Sequence, residues 1–357
     1  MRVVQVFGSS AGGVARHVFQ AAQELASRGH DVVIAGGSAH TIPTGVRHVD
    51  VVIADRPRPA DVGAIRALRA VGRGADVVHA HGLRAGALAG LALVGVNTPL
   101  VVTLHNKPVG SWRVRWVSRV LEWVVARSAR AVLGVSGDLV DRMRERGARQ
   151  VERALVPAPA MVVTVPDGAR DRVRAQIRAQ WQVGPEEALL VTVARLAPQK
   201  GLDTLVDVAG ALVQAGVRFR WVVVGDGPLR DRVSERVLEL GVPVVLAGRR
   251  DNVAEFLVSA DVVVQTPVWE GQPIAVQEAL SVGVALVSTD AGGTREVTGD
   301  AAVLVPVGDV TALAREVAGL VASPARVAEL VEASTMQYAT LPTVEMVGDQ
   351  LERTYCA

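Results

Sequence analysis

The sequence predicts an α/β protein built from two doubly wound, parallel-sheet domains in tandem. Three observations carry that expectation. At 357 residues the chain is too long for one ordinary core and long enough for two. Short Val-rich runs recur along it with helical patterns between them. The runs are continuous rather than alternating, which is how strands covered on both faces read.

In the first half the runs are RVVQVF (2–7), DVVIAG (31–36), DVVHAH (76–81), PLVVTLH (99–105) and AVLGVS (131–136). After the first of them, VARHVFQAAQELASRG places apolar residues at helical spacing and closes on Gly29, a helix stop. Periodicity breaks in PAPAMVVTVPDGAR (157–170), whose prolines and Pro-Asp-Gly turn set a domain boundary. The expected division is 1–160, 161–340 and a terminal helix, 341–357, able to cross back to the first domain. The second series is ALLVTVAR (188–195), FRWVVVGDG (219–227), VPVVLAG (242–248), DVVVQTP (261–267), VALVSTD (284–290) and AVLVPV (302–307). Ligands of such sheets sit at the carboxyl ends of the strands, so two sheets facing a central cleft would hold a ligand there.

Half the residues are apolar, yet no stretch approaches the roughly 18 to 20 that a membrane span requires. The amino-terminal apolar run is too short for a signal-peptide core, and a cytoplasmic protein is expected. The single cysteine, Cys356, excludes an intramolecular disulfide or a cysteine-based metal site. The net charge of +2 conceals an asymmetry: residues 1–160 hold 21 Arg plus Lys against 11 Asp plus Glu, and residues 161–357 hold 17 against 25. The basic half suits an anionic partner, whether a phospholipid surface, a phosphorylated acceptor or nucleic acid; attraction between the halves reads equally well. Of the 38 cationic residues only Lys107 and Lys200 are lysine. A compact ammonium and a planar guanidinium are not equivalent at a phosphate, which singles out Lys200.

Four loops follow strands. Gly8-Ser9-Ser10-Ala11-Gly12-Gly13 leads into a helix, and Gly12 and Gly13 permit close approach of an anion to the backbone N–H groups there. It lacks the spacing of the dinucleotide and P-loop fingerprints, so a plain turn reads as well. Ala194-Arg195-Leu196-Ala197-Pro198-Gln199-Lys200-Gly201 brings a guanidinium and an ammonium to one loop, a pair suited to a diphosphate. In VWEGQPIAVQE (268–278), Glu270 precedes a helix beginning near Pro273 and Glu278 lies within it. The two carboxylates are therefore not an acid/base pair on one face, and each can accept hydrogen bonds from a different hydroxyl of one elongated ligand. Ala291-Gly292-Gly293-Thr294-Arg295-Glu296 is the fourth loop, and the three loops of the second half imply one site.

These motifs, in this order, resemble the retaining glycosyltransferases of family 4. Arg195…Lys200-Gly201, Gly225-Asp226-Gly227-Pro228, Gly248-Arg249, Glu270-Gly271-x-Pro273…Glu278 and Gly292-Gly293-x-x-Glu296 carry the resemblance in the second half. Gly12-Gly13-Val14, Gly29-His30-Asp31-Val32, His79-x-His81 and Thr103-x-His105 carry it in the first. The resemblance implies a GT-B fold and a hexose donor carried on a nucleoside diphosphate, UDP being expected ahead of GDP. It implies that Glu278 binds the ribose, and that Glu270 with Gly271, Gln272, Pro273 and Ile274 holds the sugar. Arg195 and Lys200 would stabilise the leaving diphosphate, Gly12 and Gly13 would approach the donor, and His105 would reach it near the reacting centre. A core histidine at a strand end is the plainer reading of His105. No Asp-x-Asp pair is present, so no metal and no cofactor are expected, the two cations taking the part of Mg²⁺. The chain departs from the family at Ala158-Pro159-Ala160, where an Asn-Gly turn is usual.

Between Lys107 and Arg130, Trp112, Trp116 and Trp123 fall on one helical face flanked by arginines. Such a helix either packs its aromatic face on the sheet or lies on an anionic membrane surface. The expectation is thus a metal-independent transferase acting on an unidentified acceptor, lipid-linked or belonging to the cell envelope. The enzyme would be cytoplasmic or peripheral on the inner membrane face, with no nucleic-acid partner. A GT-B UDP-sugar epimerase and an inactive sugar-nucleotide-binding partner protein are the alternatives.

Overall fold

The structure, a computed structural model, describes residues 1–8, 13–37, 42–54, 58–107, 111–157 and 168–357. It divides into two compact units, one of residues 1–157 with 342–357 and one of residues 158–341. In the first, strands β1 (Arg2–Phe7), β2 (Asp31–Gly36), β3 (Arg47–Asp50), β4 (Val77–His81), β5 (Leu100–Leu104), β6 (Ala131–Gly134) and β7 (Val151–Arg153) form a sheet ordered β3-β2-β1-β4-β5-β6-β7. In the second, β8 (Ala188–Val193), β9 (Phe219–Val224), β10 (Val244–Gly248), β11 (Val262–Gln265), β12 (Leu286–Thr289) and β13 (Val303–Val305) are ordered β10-β9-β8-β11-β12-β13. Neighbouring strands pair in parallel throughout both sheets. Strand order reverses between β1 and β4 in one sheet and between β8 and β11 in the other, and crevices for ligands open at such switch points.

Continuous Val runs build this because each sheet of this kind is covered twice. In β9, Trp221 and Val223 enter one core with Leu205, Leu212 and Leu313, while Val222 and Val224 enter another with Phe256, Leu280 and Leu286. Successive residues point to opposite faces, so a strand between two layers of helix is apolar at every position. The edge strands β3 and β7 read RHVD and VER and are only partly buried, which is why no apolar run announced them.

The helix Val344–Cys356 packs on the first unit. Arg28 Nη1 donates to Asp349 Oδ1 at 2.7 Å and to Glu352 Oε2 at 2.9 Å. Gln350 Nε2 donates to the Arg153 carbonyl at 2.7 Å, and its Oε1 accepts from the Leu155 N–H at 2.8 Å. Arg130 donates to the carbonyls of Thr354 and Tyr355, capping the helix end with a cation as its dipole favours. The segment 158–167, with most of the proline-rich stretch and the Ala158-Pro159-Ala160 departure, lies outside the described residues, as does Gly12.

Candidate functional site

In the second unit the loops after β8, β9, β11 and β12 lock onto one another. The Val268 N–H donates to the Gln199 carbonyl at 2.8 Å, and Thr266 Oγ1 donates to the carbonyls of Lys200 and Gly201, each at 3.1 Å. The Leu196 N–H donates to the Asp226 carbonyl at 3.0 Å, and the Gly293 N–H to the Glu270 carbonyl at 2.9 Å. Two glycines permit this stacking. Gly201 has φ +60° and Gly292 φ +59°, and a Cβ at either would overlap a carbonyl oxygen of the neighbouring loop, Thr266 in one case and Glu270 in the other. The motifs that stood apart in the sequence are thus one assembly beside the β8/β11 switch point.

Lys200 ends a 3-10 turn, Pro198–Lys200, and its Nζ forms an ion pair with Glu270 Oε1, both side chains being mostly buried. The family resemblance implies separate tasks for these residues, and nothing in the sequence signals the pairing. Arg195 is exposed and has no ion-pair partner among the described residues. The helix Ile274–Val282 starts immediately after Pro273, with Gly271 and Pro273 buried and Gln272, Ile274 and Glu278 partly exposed. Glu270 lies before that helix and Glu278 in its second turn, so the two carboxylates do not share one helical face. Gln277 is fully buried, and its Nε2 donates to Gln272 Oε1 at 3.3 Å, a support for the loop that sequence reading did not single out.

The first unit holds a buried polar cluster at its own switch point. Gln5 on β1 lies in register with His79 on β4, and His81 on β4 with Thr103 on β5. His105 follows β5, and His17 comes from the helix Gly13–Ser27, which begins at the expected Gly13. His79 Nδ1 is 2.6 Å from the Tyr355 hydroxyl and its Nε2 is 2.7 Å from Thr103 Oγ1. His81 Nε2 is 2.6 Å from Gln5 Oε1, and its Nδ1 is 3.2 Å from His105 Nε2. Gln5 Nε2 donates to the Tyr355 hydroxyl at 3.0 Å. Burial lowers His17 to about 4 and His79 to about 3, and holds His81 and His105 well below the ordinary range. His105 is buried just beyond the end of β5, which is the plainer of its two readings. One ring nitrogen each of His17, His81 and His105 lies within 4.8 Å of the others, a spacing compatible with a metal ion. Both nitrogens of His81 are already in hydrogen bonds, so a metal there would have to displace one.

Packing of the tryptophan face against the sheet is excluded. Trp112, Trp116 and Trp123 are 66%, 62% and 54% exposed on the helix Trp112–Ser128. Ser118, Glu122, Val125 and Ala126 face inward instead, because Glu122 is drawn in by Arg142 at 2.6 Å and Arg146 at 3.0 Å. No described helix is long and apolar enough to cross a membrane. Lys107 pairs with Asp138 at 3.3 Å. A cavity of about 780 Å³ opens at the amino ends of β8 and β11, away from these loops. Its Arg174 and Arg178 are held by Asp261, so it offers no free cation pair.

Two doubly wound sheets, with glycine-bearing loops at the switch point of the second, define a tandem Rossmann-like α/β class. Known proteins place the chain within it. Residues 12–159 match the Glycosyl transferase 4-like domain and residues 173–336 match Glycosyl transferases group 1. The GDP-mannose-dependent alpha-(1-6)-phosphatidylinositol dimannoside mannosyltransferase of Mycobacterium tuberculosis is 36% identical over 35% of this chain. The match spans 33% of that protein's own length. Sucrose-phosphate synthase from Thermosynechococcus elongatus superposes with a TM-score of 0.81 at 18% identity, covering 100% of this chain and 98% of that one. Anabaena HepE in complex with UDP-glucose superposes with a TM-score of 0.80 at 18% identity, covering 100% and 99%. Glycosyl transferase family models thus match both halves of the chain, whose fold is of the GT-B type.

Proposed function

We propose that the protein is a retaining glycosyltransferase that moves a hexose from a nucleoside diphosphate to an acceptor at a membrane surface. The observation that carries the donor reading is the interlocked set of loops presenting Arg195, Lys200 and Glu270 beside the β8/β11 switch point. Glu278 takes the ribose hydroxyls, and Glu270 with the backbone of Gly271 to Ile274 takes the sugar hydroxyls. As the bond to the anomeric carbon breaks, negative charge grows on the diphosphate. Arg195 and Lys200 lower that barrier as prepositioned cations, Lys200 retaining N–H groups for the phosphate while paired with Glu270. Gly13 and His105 are further donor-binding residues in this reading. Retention needs no carboxylate nucleophile if the departing diphosphate takes the acceptor's proton, and no metal is required in this scheme. Among relatives, the mannosyltransferase is named for GDP-mannose, and HepE was solved with UDP-glucose. UDP-hexoses and GDP-hexoses are therefore both to be tried as donors.

The exposed face of the helix Trp112–Ser128 sets the acceptor side. Arg113, Arg115, Arg119 and Arg127 are exposed with the three tryptophans and Val114, and the only acidic residue of the helix is the buried Glu122. Aromatic rings at the headgroup level and an all-cationic rim suit an anionic lipid surface. Vesicles containing phosphatidylglycerol should retain the protein and phosphatidylcholine vesicles should not. Retention should be lost in the triple variant Trp112→Ser, Trp116→Ser, Trp123→Ser; equal retention of that variant would remove the membrane reading.

Transfer from UDP-, GDP- and ADP-hexoses to a lipid extract, with EDTA present, tests the whole proposal. Product with the donor's anomeric configuration is expected. An inverted product would contradict retention. Sugar epimerised without transfer would favour the epimerase, and donor binding with neither outcome would favour an inactive partner protein.

A further inference from the structure

His17, His81 and His105 reach one point from three elements of the first unit: the helix Gly13–Ser27, β4 and the position after β5. Burial disfavours the imidazolium, so the rings are in the neutral form that ligates metals. No carboxylate or thiol joins the group among the described residues, and imidazoles alone suit Zn²⁺ and its first-row neighbours rather than Mg²⁺ or Ca²⁺. The spacing is close to what such an ion requires. Two nitrogens on a tetrahedral Zn²⁺, each about 2.0 to 2.1 Å from it, stand about 3.3 Å apart. His81 Nδ1 and His105 Nε2 are 3.2 Å apart, and one ring nitrogen from each of the three histidines lies within 4.8 Å of the others. Three imidazoles on such an ion also hold their ring centres about 5 Å apart. Here the centres are 5.4, 5.4 and 5.7 Å apart, a nearly equilateral triangle.

A second observation points to a ligand. His17 is 4% exposed, and its Nδ1 is buried without a hydrogen-bond partner among the described residues. A buried nitrogen left unpaired is costly, and a group bound beside it offsets that cost. The contact between His81 and His105 is no obstacle, because an ion between them exchanges one hydrogen bond for two coordination bonds. His81 Nε2 then carries the proton and donates it to Gln5 Oε1 at 2.6 Å, the kind of outer contact by which metal-bound histidines fix their tautomer. This holds whichever way the hydrogen bonds run in the metal-free protein, since the ion itself takes His81 Nδ1. His79 stays outside the site, its nitrogens lying 2.6 Å from the Tyr355 hydroxyl and 2.7 Å from Thr103 Oγ1.

We propose that His17, His81 and His105 form a site for one divalent first-row transition-metal ion, Zn²⁺ foremost, with Gln5 orienting His81 and the fourth position left to water or an anion. The site lies wholly within the first unit and is separate from the loops of Arg195 and Lys200, whose diphosphate needs no metal in the scheme above. Its failure would leave the donor reading standing, and failure of the donor reading would leave the site standing.

Calorimetric titration of the tag-free full chain with ZnCl₂ reads the site directly. One Zn²⁺ should bind per chain, and at a hundredfold excess over Kd the melting temperature of the first unit should rise by about 5 °C or more, with no rise in Mg²⁺. Zinc X-ray absorption should show imidazole nitrogens at about 2.0 to 2.1 Å. Imidazole NMR signals of His17, His81 and His105 should move on adding Zn²⁺, and those of His30 and His48 should not. Gln5→Met, which removes the outer contact and no ligand, should weaken binding about tenfold, and His17→Phe should weaken it further. No binding by the wild type, coordination by oxygen alone, or wild-type affinity in His17→Phe would overturn the proposal. The two spectra are taken on the unaltered protein, so they decide the matter even if a variant fails to fold.

Discussion

Lys200 stands where a chain that otherwise uses arginine for 36 of its 38 cations has kept lysine. The structure supplies a reason in the partly buried ion pair with Glu270, where a point charge fits and a planar fork would need more room. If the ammonium holds the leaving diphosphate, Lys200→Ala should lower kcat on the order of 100-fold, the size of one lost transition-state donor. Lys200→Arg should stay within about tenfold of the alanine variant, because restoring charge does not restore shape. Steady-state kinetics of the two variants side by side make the check. The pairing itself was not legible in the sequence: 70 residues separate Lys200 from Glu270, and only the stacking of two loops brings them together.

At the scale of elements, the loops after β8, β11 and β12 are held at spacings that tolerate no Cβ. Gly201→Ala forces a left-handed φ on an alanine and overlaps the Thr266 carbonyl, so the second unit should lose about 2 kcal/mol or more. Gly210→Ala, in the middle of the helix Leu202–Gln214 with open space around it, should gain up to about 1 kcal/mol instead. Urea unfolding followed by the fluorescence of Trp181 and Trp221 distinguishes the pair. Central strands and these glycine loops were readable in advance because apolar runs and turn residues are local signals. Three features were not. β3 and β7 are edge strands of mixed polarity, and the helix Trp112–Ser128 turns its aromatic residues outward because the buried Glu122 pairs with arginines beyond it. All three depend on neighbours that a single segment does not contain.

The whole molecule carries a concealed sensitivity to acid. His17, His79, His81 and His105 are neutral when folded and titrate near 6.5 when unfolded, so the unfolded chain binds more protons as pH falls below that value. Stability is at its full value above about pH 7 and declines on acidification, continuing to about 4 for His17 and about 3 for His79. At about pH 5 His17 and His79 each cost about 2 kcal/mol, and His81 and His105 add to the loss in the same direction. The melting temperature of the first unit should therefore fall steeply between neutral pH and pH 5, and a flat profile would mean that the cluster is not buried neutral.

The central claim is that the loops of the second unit hold a nucleoside diphosphate by Arg195 and Lys200 without a metal. Calorimetric titration with UDP and GDP in EDTA tests it most directly. One of the two should bind the wild-type protein, and Lys200→Ala should weaken that binding at least about tenfold, the effect of losing one charge-assisted contact. Failure of both nucleotides to bind, or equal binding by the variant, would contradict the account.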